Sequence, residues 1–106
     1  MAFADTLKQL PPTPHLAGLQ LIDQHGATVA TLENKPGQAG SVAVYAALAE
    51  RFGAITVQAA HEGLLMYAEH TADARAHPGK HPNIDRLIAL TEAGGRFTVK
   101  LLPSQA

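Results

Sequence analysis

The segment "LAGLQLIDQHGATVATLE", Leu16 to Glu33, decides the fold. Leu19 and Leu21 alternate with polar or small neighbours, the two-residue period of a strand with one buried face. "ATVATLE" resumes the strand-like composition after "QHG", where Gly26 can adopt positive φ, so the segment predicts a β-hairpin. A third strand is expected in "RFTVKLL", Arg96 to Leu102, where Phe97, Val99 and Leu101 share one face.

Helical patterns occupy the rest. Phe3, Leu7 and Leu10 recur at i, i+4 and i+7, and the helix they define must stop before "PPTP", because a proline disfavours helical geometry in the residue before it. "NKPGQAGS" reads as a turn, with Pro36-Gly37 suited to type II and Ser41 as the N-cap of a helix from about Val42 to Phe52 that Gly53 ends. A long helix is expected from about Val57 to Ala76, capped by Thr56, weakened internally by Gly63 and closed by Pro78. Asn83 is the expected N-cap of a last helix, with Asp85 favourable to its dipole, Ile84, Leu87 and Ile88 facing the core, and Gly94-Gly95 ending it. The order αββαααβ, without regular βαβ alternation, implies the α+β class: one domain, 1–106, with a small antiparallel three-stranded sheet covered by helices.

The bulk numbers limit function. A chain of 106 residues, 46% hydrophobic and 16% charged, suits one compact core. Eight Lys and Arg against nine Asp and Glu leave a net charge of -1 with no basic run, so nucleic acid is not an expected partner. Cysteine is absent, which removes disulfides and thiolate chemistry together and fits a reducing cytoplasm. No apolar stretch approaches the roughly 20 residues of a membrane span, and "MAFADTLKQL" does not read as a signal peptide.

Chemistry concentrates in "EHTADARAHPGKHPNIDRL", Glu69 to Leu87. At about 100° per residue, Val57, Ala68 and Thr71 fall on the stripe centred on Leu64, while His70, Asp73 and His77 fall near the opposite side. That face presents two imidazoles and a carboxylate, and the "HPGKHP" turn can return His81 beside them. His70, Asp73, His77 and His81 are therefore candidate ligands for a divalent metal such as zinc, with Glu69 as a base. The alternative is a solvated helix end in which Asp73 pairs with Lys80 or Arg75. The spacing matches no established ligand signature such as H-E-x-x-H.

The loop "HPGKHPN" also admits an acidic ligand, since Gly79 and Lys80 lead into a helix N-terminus, although Asp85 already complements that dipole. "KPGQAGS" lacks the order of a P-loop and reads as a loop before a capped helix. No nucleophile elbow G-x-S-x-G occurs. His61 reads as a boundary residue, and Met66 as an exposed apolar side chain that, with the sheet edges, admits a homodimer.

At "LENKPGQAGSVAVYAALAERFGAI" and "HPGKHPNIDRL" the chain resembles a family of short uncharacterised bacterial proteins, classed as a domain of unknown function. The resemblance spans nearly the whole chain, from "LAGL" to "FTVKL", and implies a bacterial, soluble, single-domain protein. It implies no activity, so no catalytic residue is carried over. Two expectations follow. The first is a non-enzymatic binding or adaptor protein that meets a protein or small acidic ligand through Glu69, His70, Asp73, His77, Lys80, His81 and Asn83. The second is a metal-binding protein or metal-dependent enzyme on His70, Asp73, His77 and His81.

Overall fold

A computed structural model describes residues 2–104. Its elements are α1 (Phe3–Gln9), β1 (Leu16–Ile22), β2 (Thr28–Glu33), α2 (Ala39–Phe52), α3 (Val57–Met66), α4 (Glu69–Ala76), α5 (Pro82–Ala93) and β3 (Thr98–Pro103). This is the expected α+β order.

The hairpin forms as its pattern dictates. In the antiparallel β1–β2 pair Leu19 stands opposite Leu32 and Leu21 opposite Ala30, so one face carries the apolar residues. The turn is held by the Asp23 carboxylate, which accepts the N–H groups of His25 and Ala27 at 2.8 and 2.9 Å. β3 pairs antiparallel on the other side of β1, giving the order β2-β1-β3. Phe97 and Val99 are half-buried on the core side, whereas Leu101 stays 48% exposed. Helices α2, α3 and α5 complete one apolar cluster with the sheet, in which Leu19, Leu21, Tyr45, Leu48, Ile55 and Leu87 have no exposed surface.

Several local expectations are corrected. α2 begins at Ala39, three residues before the expected start, with Gln38 at its N-cap and no capping side chain. Ser41 lies inside the first turn, and its Oγ instead accepts the Tyr67 hydroxyl at 2.7 Å. At the start of α5 the N-cap is His81 and Pro82 occupies the first helical position, where its missing N–H costs nothing. Asn83 is therefore not the cap; its Oδ1 accepts Arg86 Nη1 at 3.0 Å. Thr56 does cap α3, accepting the Ala59 N–H at 3.1 Å.

The largest correction concerns the long helix. It is two helices, broken at Ala68, whose φ of 53° and ψ of -118° no helix contains. Thr71 Oγ1 donates to the Leu64 carbonyl at 2.6 Å across the break, so a carbonyl left over at the end of α3 is satisfied by a side chain of α4. The phase computed for an unbroken helix cannot be carried past Ala68, and the corner there also covers the end of α3 on a side that the stripe centred on Leu64 leaves to solvent. Met66, expected on the polar face, is 7% exposed, and Tyr67 is 3% exposed, while Leu65 points to solvent at 74%. Met66 therefore no longer supports self-association.

Gly63 is a close approach rather than a weak point. A Cβ there would lie 2.7 Å from Leu87 Cδ1 and 2.9 Å from Leu48 Cδ1, both in fully buried side chains, so α3 needs glycine to pack against α2 and α5. Gly63→Ala is expected to destabilise the fold by about 1–2 kcal/mol in urea unfolding despite alanine's better helix propensity, because overpacking outweighs it. Ala68→Gly is expected to raise stability by about 1 kcal/mol in the same assay, because the backbone there lies where alanine is strained.

Candidate functional site

The turn at Ala68 aims α4 back across α5, and Asp73 becomes the hub of the segment between them. Its Oδ2 accepts His81 Nε2 at 2.6 Å and lies 2.9 Å from Lys80 Nζ, while Oδ1 lies 3.2 Å from His77 Nδ1. Hydrogen bonding from His81, then from Lys80, holds the Asp73 carboxyl well below the usual carboxylate range. An acid in the last turns of a helix opposes the macrodipole, and these three partners offset that conflict. The rest of the loop is closed by Asp85, whose Oδ2 accepts the Gly79 N–H at 2.9 Å.

The expected residues are brought together unequally. His70 and His81 lie with ring centroids 5.8 Å apart. Glu69 turns elsewhere: its Oε1 accepts the Phe3 N–H at 2.7 Å, which ties α1 to α4 and lowers the pKa of the acid. His77 is 63% exposed on the outer side of Asp73. Among the described residues, no three His, Asp or Glu side chains are placed to hold a metal ion. Asp73 pairs with Lys80, the outcome that favours the non-metal alternative.

His70, Lys80, His81 and Asn83 instead line a cleft of about 670 Å³ between α1, β2 and the N-terminal ends of α2 and α5. The opposite wall comes from Gly37 to Ser41, so the "KPGQAGS" and "HPGKHPN" loops, distant in sequence, face one space. Arg86 lines it too, and among the described residues no carboxylate does. Among the described residues the main-chain N–H groups of Gly40, Ser41 and Asn83, in the first turns of α2 and α5, meet no protein acceptor. Asp85, in the first turn of α5, lies outside this lining, in a separate depression with Arg75 and Pro78, with its Oδ2 taken by the Gly79 N–H.

Two tyrosines brace the walls. Tyr45, on α2, donates its hydroxyl to the Asn83 carbonyl and accepts Arg86 Nη1 at 3.2 Å, with the guanidinium 5.9 Å above its ring. Tyr67 donates to Ser41, and its ring stacks on Phe3 at 5.2 Å. Burial pushes the Tyr45 phenol up to about 12 and the Tyr67 phenol up as well, so both remain donors at any physiological pH. Sequence reasoning did not single out Arg86, Tyr45 or Tyr67. The i, i+3 spacing of Asn83 and Arg86 on α5 was the one available signal.

The arrangement defines a small α+β protein with an open cleft lined by hydrogen-bond donors. The chain belongs to the family described as an uncharacterized protein conserved in bacteria, DUF2322, whose model matches residues 3–101. Comparison with the curated proteins and with the solved structures found no match.

Asp73→Asn tests the hub. An acid with a depressed folded-state pKa contributes stability above its unfolded value of about 3.9, and that contribution is lost as pH falls through the folded value. The stability gap between wild type and Asp73→Asn, measured by urea unfolding, is expected to be present at about pH 5 and to close progressively on acidification.

Proposed function

We infer that the protein is a non-enzymatic binding protein of the bacterial cytoplasm, acting as a single domain, whose cleft takes a small acidic ligand. The observation that carries this reading is the lining itself: Lys80, Arg86, His70 and His81, with no carboxylate among the described residues that line it. Free N–H groups at the ends of α2 and α5 add to the same potential, since a helix N-terminus favours negative charge. The volume, about 670 Å³, falls within the range of small-molecule sites. A second groove of about 400 Å³ beside Pro11, Pro12 and β3 is mainly apolar and offers an acid only His15, with Glu50 opposing it.

Within this reading Arg86, Lys80, His70 and His81 attract the ligand, Asn83 and the first turn of α2 orient it, and Asp73 with Glu69 holds the α4 wall in place. His77 lies behind Asp73 and acts through it. Support for the non-enzymatic part comes from the lack of cysteine and from the Ser41 hydroxyl being engaged by Tyr67. The metal alternative has less behind it, because Lys80 already neutralises the carboxylate it requires.

Amide NMR of the labelled protein tests the reading. Acetate, benzoate and inorganic phosphate are expected to shift the signals of Gly40, Ser41 and Asn83 and the Arg86 side chain, whereas tetramethylammonium is expected to leave them unchanged. Silence at these positions with all three anions, or shifts scattered over the surface, would sink it.

A further inference from the structure

The class of acidic ligand follows from the charges around the cleft, and this step rests on the anion-binding reading above. On α5, Arg86 has only Nη1 engaged, by Tyr45 and Asn83. Lys80 faces the cleft from the loop but is paired with Asp73. On α4, His70 lines the cleft, Glu69 is turned to the Phe3 N–H and Asp73 to His81, while His77 lies outside the lining. No charged side chain of α1, α2 or β2 lines it, and Tyr45 and Tyr67 are neutral. Among the described residues Asp73 offsets Lys80, whereas Arg86 meets no carboxylate, so its charge is left for a ligand. A carboxylate ligand brings one negative charge and a phosphate monoester up to two.

The shape of the donor set favours the dianion. A carboxylate accepts in one plane and is satisfied by a single guanidinium fork. Here donors arrive from α2, from the α4–α5 loop and from α5, a spread that suits the diverging oxygens of a phosphate. A bare phosphate leaves most of the cleft empty, and Phe3, Leu7, Leu32 and Ile84 line the remainder. We propose that the cleft binds a phosphate monoester with a small apolar body, the phosphate meeting Arg86, Lys80 and the free N–H groups of Gly40, Ser41 and Asn83.

Isothermal calorimetry with phenyl phosphate, benzoate and inorganic phosphate tests this at slightly alkaline pH, above the second phosphate ionisation at about 6. Phenyl phosphate is expected to bind roughly tenfold or more tightly than either other anion. Arg86→Gln is expected to weaken it roughly tenfold, and the exposed Lys80→Gln, which leaves Tyr45 untouched, to weaken it as well. Benzoate binding as well as phenyl phosphate overturns the phosphate assignment while leaving an anion cleft. Inorganic phosphate binding as well overturns the apolar body. If none of the three binds, the anion-binding reading falls with the proposal.

Discussion

The site depends on one backbone turn at an alanine. Ala68, with φ at 53°, occupies a conformation that costs a residue with a Cβ of order 1–3 kcal/mol, and the surrounding structure must hold it there. The restraints are identifiable: the Ala68 N–H donates to the Leu65 carbonyl, the Thr71 N–H to the Ala68 carbonyl, and the Thr71 hydroxyl to the Leu64 carbonyl. Their joint effect is to bury Tyr67 at the corner and swing α4 against α5. A helix running straight through Ala68 would carry His70 and Asp73 along the axis of α3 and leave Lys80 and His81 without their shared carboxylate.

From that corner the cleft is assembled by side chains that bind its walls to one another. Tyr45 joins α2 to α5, Tyr67 joins the end of α3 to α2, and Asp73 joins α4 to the loop before α5. Both tyrosines are neutral and buried, so the two ties they make do not titrate near neutrality. A cleft braced in this way loses little side-chain entropy on binding, which favours affinity beyond what its area suggests.

The elements with clear periodicity were legible from the sequence. The hairpin alternation of Leu19 and Leu21, the Thr56 cap and the ends at Gly53 and Gly94 all describe interactions between residues near in the chain, and the structure keeps them. Alanine is the best helix former, so nothing local announces a break at Ala68, and without the corner it makes Met66 read as exposed on the polar face. Ser41 and Asn83 were read as caps because their chemistry suits a cap; a tyrosine from α3 and an arginine one turn along α5 claimed them instead. The return of His81 to Asp73 was anticipated from the turn between them. The convergence of that loop with Gly37 to Ser41 was not, because no local pattern records which two helix ends will meet.

The N-terminal helix α1 has no buried residue, yet Phe3 and Leu7 form part of the cleft wall. Its attachments include the Phe3 ring, stacked on Tyr67 and edge-on to His70, the Phe3 N–H held by Glu69, and contact of Phe3 and Leu7 with the α2 end at Gly40. Short helices without a buried residue open at lower free energy than the core they rest on. The two ends of the cleft are thereby carried by different parts of the fold: the wall at Phe3 and Leu7 rests on a lightly attached helix, whereas the wall that carries the charges is built on α4, α5 and the loop between them and is braced by Tyr45 and Asp73, so loss of α1 would strip apolar surface from the cleft and leave its donors in place.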